Sequence, residues 1–478
     1  MRRLMEMDHP YCLAGEWIDD GERFEVLSPW DGKQVGATYR PSAAAVETAI
    51  ERAGAARAVL AEMPLYERVG ILKDIARRIE ESSEDLTEMI ALEAGKPLRY
   101  ARGEAARAVQ TFTEAAAECS RLYGEIIPLD VTPQGAGRTG MTGFFPLGTV
   151  LAVTPFNFPL NLVAHKLAPA LAAGCPAILK PSSETPLTSL MLARLIVDGG
   201  APAGALSVLP LEGARCGELA LRSEIRKVTF TGSAEVGWDL KRRAYDKRVT
   251  LELGGNAAVI LHDDWDDMDA AIERICTGGY AYSGQVCISI QRIYVHSRIY
   301  REFIERFLAR VASLRKGDPL AEETDIGPMI TEGEAKRVEE WVNEAVAGGA
   351  KVLAGGGRSG GYYEPTVIEG AKQGMKVVDE EIFGPVTVVS SYDDFEKALA
   401  MADDSRFGLQ AGVYTRDLRL AMRAFRRLEV GGVVVGDVPT FRIDRMPYGG
   451  VKRSGSGREG LRYAIREMCE QRLLVIGF

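Results

Sequence analysis

From Thr149 onward, short apolar runs alternate with helical stretches, and this alternation constrains the fold more than anything else in the chain. Val150 to Val153, Ala177 to Leu179, Leu206 to Leu209, Lys227 to Phe230 and Val249 to Leu253 read as buried strands. Between them, Leu162 to Ala173, Leu187 to Asp198, Cys216 to Leu221 and Ser233 to Ala244 carry helical spacing. Parallel neighbours need a crossover, and a helix is the compact way to make one. Such a sheet is covered on both faces, so its strands are apolar throughout. A second series begins near Ala257 and continues to about Val435, with strands at Arg292 to His296, Val386 to Ser390 and Gly432 to Val435. The fold class is therefore α/β, with two doubly wound lobes. A chain of 478 residues is too long for one core, in agreement with two or three domains.

The first 120 residues are mostly helical in pattern. Ser42 to Leu60 and Tyr66 to Ala94 read as amphipathic helices, the second stopped by Gly95-Lys96-Pro97, and another runs from Leu98 to Leu122. Residues near Gly124 to Thr142 and the terminal Glu470 to Ile476 read as strand-forming pieces outside both lobes. A net charge of −9 argues against nucleic acid as the main partner, though a local arginine cluster can still hold a small anion. No apolar run is long enough to span a membrane. Met1 to Asp8 turns acidic before an apolar core forms and is not a signal peptide. Seven scattered cysteines point to a reducing cytoplasm rather than a disulfide framework. The histidines His9, His165, His262 and His296 are too dispersed in sequence to suggest a metal site.

Several short stretches carry chemistry. Cys287, in Gly284-Gln285-Val286-Cys287, lacks the apolar helical setting of several other cysteines. Glu252, in Leu251-Glu252-Leu253-Gly254-Gly255, puts a carboxylate at a strand end before two glycines. Asn157, in Pro155-Phe156-Asn157-Phe158-Pro159, follows the first strand of the series and offers a side-chain amide for an oxyanion. A thiolate nucleophile and a separate carboxylate base are what covalent oxidation of an aldehyde requires. A dinucleotide fingerprint of the GxGxxG type is missing, but Gly232-Ser233-Ala234-Glu235-Val236-Gly237 forms a glycine-bounded turn between strand and helix. Taken alone such a turn is more often plain, as a proline-bounded asparagine and a solvated lysine usually are.

Together and in this order, these segments resemble the aldehyde dehydrogenase superfamily over essentially the whole chain, through Pro447-Tyr448-Gly449-Gly450 near the end. The overall run is most similar to lactaldehyde dehydrogenase-like and broad-range bacterial and archaeal members. The resemblance implies Cys287 as nucleophile, Glu252 as base and Asn157 as oxyanion donor, with Phe156, Phe158, Val286 and Ile288 lining the substrate tunnel. It implies NAD or NADP on Lys180, Ser183, Gly232, Ser233 and Gly237, with Glu381 and Phe383 at the nicotinamide end, and no metal. Where many NAD-specific members have a glutamate, this chain has Ser183, which implies dual or NADP-leaning use. Lys166 and Glu459 match proton-relay positions of some relatives, and each reads equally as half of an ion pair.

The implied domains are 1–123 with 143–254 for the cofactor, 255–455 for catalysis, and 124–142 with 456–478 as a small β extension for a homodimer or homotetramer. The implied reaction turns a small, possibly hydroxylated aldehyde into its acid through a thiohemiacetal and a thioester. Succinate semialdehyde and phosphorylated aldehydes stay open, with Arg102, Arg107, Arg442 and Arg445 as anion contacts or as plain ion pairs. A coenzyme A-acylating enzyme is disfavoured by Glu252, and a non-catalytic homologue by the intact trio.

Overall fold

The computed structural model describes residues 8–477, so the reading of Met1 to Met7 lies outside the described residues. The first lobe is an eight-stranded sheet. Its centre is five parallel strands in the spatial order Leu206–Val208, Ala177–Lys180, Thr149–Val153, Ile225–Gly232 and Arg248–Leu253. Tyr11–Leu13 with Glu16–Ile18 closes one edge antiparallel, and Gly455–Ser456 closes the other. Thr149–Val153 is buried at every position, as a strand covered on both faces must be.

The second lobe is a seven-stranded sheet, with Lys351–Ala354 antiparallel at one edge. Its parallel strands follow in the order Thr366–Glu369, Val386–Tyr392, Arg292–His296, Ala258–Leu261, Gln410–Tyr414 and Gly432–Val435. Arg248–Leu253, with Glu252 near its end, finishes the first sheet, and Ala258–Leu261 opens the second five residues later. The link between the lobes therefore runs past the chemistry-bearing segment.

The helical reading of the N-terminal part needs two corrections. Tyr66 to Ala94 is two helices, Leu65–Glu81 and Ser83–Ala94, interrupted at Ser82, whose N–H donates to the Arg78 carbonyl. Ahead of them lie four strands, including the hairpin Glu22–Leu27 with Gln34–Arg40. Two of these strands are only three residues long, Glu22–Leu27 is mostly exposed, and Gln34–Arg40 buries Gly36, Ala37 and Thr38 beside Val35, so little apolar periodicity marks them in sequence.

A third, antiparallel sheet has the order Cys469–Gly477, Arg138–Pro146, Ile126–Pro128. The chain between Gly455 and this sheet returns to the first lobe, where Leu461 and Ile465 of helix Leu461–Glu467 join the main core. Among the described residues no helix is long and apolar enough to cross a membrane. His262 and His296, distant in sequence, meet Asp263 at the carboxyl ends of adjacent strands, with ligand-capable atoms within 4.8 Å of one another. These groups already have partners: His262 Nδ1 faces Tyr392 Oη at 2.9 Å, Arg298 donates to Asp263 at 2.9 Å, and His296 caps helix Ser297–Ala312.

Candidate active site

Cys287 stands on a turn that the sequence pins closely. After helix Met268–Tyr280 the chain passes through Tyr282, Ser283 and Gly284, all in the left-handed region at φ 50, 54 and 69. A Cβ at Gly284 would lie 2.1 Å from the Gly384 carbonyl oxygen, so only glycine fits. Left-handed backbone costs a non-glycine residue roughly 1–2 kcal/mol. Tyr282 and Ser283 are held there by hydroxyls that donate to the carbonyls of Ala94 and Gly327, each at 2.7 Å. Gln285, fully buried, accepts the Ile330 N–H at 2.8 Å through its side chain.

Asn157 reaches this turn from the first lobe. It is 3% exposed, and its side-chain amide donates to the Gln285 carbonyl at 2.9 Å. One amide hydrogen is thus committed to the turn rather than aimed at a reacting oxygen, and the other remains available. Phe156 meets Phe383 edge-on, with centroids 5.9 Å apart. Phe158 lies under the Lys96 ammonium at 3.8 Å from its centroid. Val286 and Ile288 flank Cys287 and pack with Leu409 and Tyr448.

The Cys287 sulfur lies 3.0 Å from Tyr448 Oη. Burial pushes the thiol up to about 11, while Tyr448 and the Arg442 charge act in the opposite direction. Glu252 is 3% exposed, and neither of its carboxylate oxygens has a hydrogen-bond partner among the described residues. Burial, then the charge of Glu459, raises it well above the usual carboxylate range. Tyr448 and Gly449 link these two groups. Tyr448 touches Cys287, and a Cβ on Gly449 would lie 2.7 Å from Glu252 Oε1.

Behind them is a buried polar cluster. Lys166 donates to Glu459 at 3.1 Å and to Thr229 at 3.2 Å. Burial alone would raise Glu459, but the Lys166 and Arg442 charges outweigh it and hold the acid below the usual carboxylate range. Arg442 donates to Glu459 at 3.1 Å and lies 3.7 Å over the Tyr448 ring. Asp444 accepts from Arg107 at 2.6 Å and faces His165 Nε2 at 2.8 Å. Arg102 and Arg445 take no part: they pair with Glu322 and Glu114 on the surface. Of the four arginines proposed as anion contacts, only Arg107 and Arg442 border the site.

The other group of residues lies along the carboxyl edge of the first sheet. Lys180 ends its strand, Ser183 is exposed in the following loop, and Ser233 stands at the N-cap position of helix Ala234–Arg243. Gly232 and Gly237 are closely packed, since a Cβ would approach Phe230 at 2.7 Å and Leu253 at 2.5 Å respectively. Across from them, Glu381 accepts the Gly255 N–H at 3.1 Å, and burial raises it to about 7. Any side chain on Gly254 would collide with Glu381 Oε2, 1.8 Å from an ideal Cβ. Gly255, Val286, Glu381 and Phe383 line one small cleft. An exposed edge with a lysine and a helix N-terminus, facing a half-buried carboxylate beside paired aromatic rings, fits a nicotinamide dinucleotide.

The residues that sequence reasoning missed are Tyr448, Gln285, His165, Asp444 and the Lys96–Glu104 pair. Tyr448 could have been found, because it sits inside the Pro447-Tyr448-Gly449-Gly450 motif. Glu104 could not: it accepts the backbone N–H groups of Leu160 and Asn161 from a helix 56 residues away or more.

A half-buried cysteine, a carboxylate with no hydrogen-bond partner among the described residues and an asparagine amide meet between the two lobes, the groups that covalent oxidation of an aldehyde requires. The model of the aldehyde dehydrogenase family matches residues 17–474, and the chain belongs to that family. It is similar to a 3-sulfolactaldehyde dehydrogenase from Priestia aryabhattai, 43% identical and covering 97% of each chain. The structure of aldehyde dehydrogenase 21 from Physcomitrella patens with its reaction product succinate superposes with a TM-score of 0.97. That chain is 42% identical, with coverage of 99% of this chain and 98% of that one. An NADP complex of glyceraldehyde-3-phosphate dehydrogenase from Methanocaldococcus jannaschii is 35% identical, covers 96% and 99%, and has a TM-score of 0.91. The protein is an NAD(P)-dependent oxidoreductase acting on aldehydes.

Proposed function

We propose that this enzyme oxidises a short aldehyde whose far end carries an anionic group, and releases the free acid. The observation that supports this most is the charge balance beside Cys287. Arg107, Lys166 and Arg442 face only two ionised carboxylates, Asp444 and Glu459. Burial keeps His165 neutral, and Glu252 is raised toward its neutral form. Arg442 Nε has no hydrogen-bond acceptor among the described residues, and the Asp444 carboxylate is 3.8 Å from it. A surplus cation with an unused donor favours an anion arriving past the apolar walls of Phe156, Phe158, Val286 and Ile288. The relatives named above act on or contain sulfonated, carboxylated and phosphorylated compounds, in keeping with this reading.

In this reading the Cys287 thiolate forms a C–S bond to the aldehyde carbon, and the carbonyl π electrons move onto oxygen. Asn157, through its second amide hydrogen, and the Cys287 backbone amide hold that oxyanion. Bound NAD or NADP, held by Lys180, Ser183, Gly232, Ser233, Gly237, Glu381 and Phe383, supplies the hydride acceptor. Glu252 then takes a proton from water as it attacks the thioester, and the Cys287 thiolate leaves. Lys166 and Glu459 keep the carboxylate neighbourhood charged behind Glu252. The first lobe is assigned to the cofactor, the second to the nucleophile, and the three-stranded sheet to assembly as a dimer or tetramer. All seven cysteines are free thiols, which supports a reducing cytoplasm.

A panel that pairs each acid-tailed aldehyde with a neutral one of equal length tests the substrate class. Succinate semialdehyde should exceed butanal in kcat/KM by at least about tenfold, and Arg107→Met should reduce only the acid-tailed substrate. Equal values for both members of the pair would remove the anionic reading in favour of a lactaldehyde-like neutral substrate.

A further inference from the structure

We propose that Tyr448 is a catalytic residue: its phenol donates a hydrogen bond to the Cys287 sulfur and holds it as the thiolate before attack and again as it leaves the thioester. This rests on Cys287 being the nucleophile, and goes beyond that assignment by naming what stabilises it. The contact is direct, 3.0 Å from oxygen to sulfur, and Tyr448 is 3% exposed, so water competes little for the hydroxyl. The position is fixed. Tyr448 and Glu459 exchange backbone hydrogen bonds at 3.0 and 2.6 Å, and the ring packs against Ile288 and Leu409.

A phenylalanine would fill the same space. What tyrosine adds is one O–H, and that O–H meets the reacting atom. Burial and the neighbouring Cys287 charge raise the phenol well above its ordinary range, so it stays protonated and acts as a donor rather than a base. Arg442, 3.7 Å over the ring centroid, draws electron density from the phenol and makes its hydrogen a better donor. It is a positioning residue, acting through Tyr448. Such a donor is needed because a half-buried sulfur loses part of the solvation that would otherwise favour its charged form. The other charges that reach the sulfur are Arg442, which favours the thiolate, and Glu381 and Glu252, which oppose it when ionised. In the thiohemiacetal the sulfur is uncharged and the bond weakens. When water displaces the sulfur from the thioester, the departing thiolate takes the bond back.

The test is the pH dependence of Cys287 alkylation by iodoacetamide in the full-length enzyme, with Cys287→Ala measured in parallel to subtract the other six thiols. Tyr448→Phe should move the midpoint up by about one pH unit, slowing alkylation near neutrality about tenfold. The rate of the first-turnover burst of reduced cofactor should fall by a similar factor while KM changes little. An unmoved midpoint together with an unchanged burst rate, in a variant that unfolds at the same temperature as the parent, overturns the role of Tyr448. A Cys287→Ala variant that kept its turnover would instead overturn the nucleophile, so the two failures are distinguishable.

Discussion

Glu252 shows how an ordinary residue acquires a function from its surroundings. Its side chain is sealed at the junction of the two lobes, and burial together with Glu459 raises its pKa. Protonated, it cannot accept a proton from water, so thioester hydrolysis should be slow at low pH and accelerate as pH rises through its raised pKa. The burst of reduced cofactor should therefore approach one per site toward low pH and shrink as pH rises. Glu252→Gln should keep the full burst at every pH and lose steady-state turnover by about a hundredfold or more. Rapid-mixing absorbance across pH measures both quantities, and a variant whose burst disappears along with its turnover would place Glu252 before hydride transfer.

Among the elements, the loop after strand Ala177–Lys180 is proposed to set which dinucleotide is favoured. Ser183 is exposed and uncharged, so it does not itself oppose a 2′-phosphate. The charge of the adjacent Glu184 reaches Lys180, whose pKa is nonetheless lowered, chiefly by burial. Ser183→Glu should weaken NADP by about ten- to hundredfold, from roughly 1.5–3 kcal/mol of charge-dependent interaction, and NAD far less. Fluorescence titration of the two reduced cofactors reads this directly. Should the parent already reject NADP a thousandfold, Glu184 rather than Ser183 sets the choice.

At the scale of the whole molecule, strand Cys469–Gly477 forms one edge of the three-stranded sheet, and Leu473, Leu474 and Val475 are 56%, 56% and 46% exposed. An unpaired apolar edge of that length invites another strand. Light scattering at micromolar concentration should give a dimer or tetramer, and Leu474→Asp should shift the population toward smaller species. A parent protein that remains monomeric would leave this edge without an oligomeric role.

The alternation after Thr149 determined the α/β class and both lobes, because helix and strand periods are written in local apolar spacing. Gly232, Glu252, Cys287 and Glu381 were legible as motifs, since each sits in a turn whose neighbours are dictated within a few residues. Other features depended on contacts between distant parts of the chain. Tyr448 meets Cys287 across 161 residues, Lys166 meets Glu459 across 293, and Arg107 meets Asp444 across 337. Local spacing carries no record of such partners. Packing against the same pair of sheets decided which arginines stayed at the surface, which acid was left without a hydrogen-bond partner, and which hydroxyl reached the sulfur.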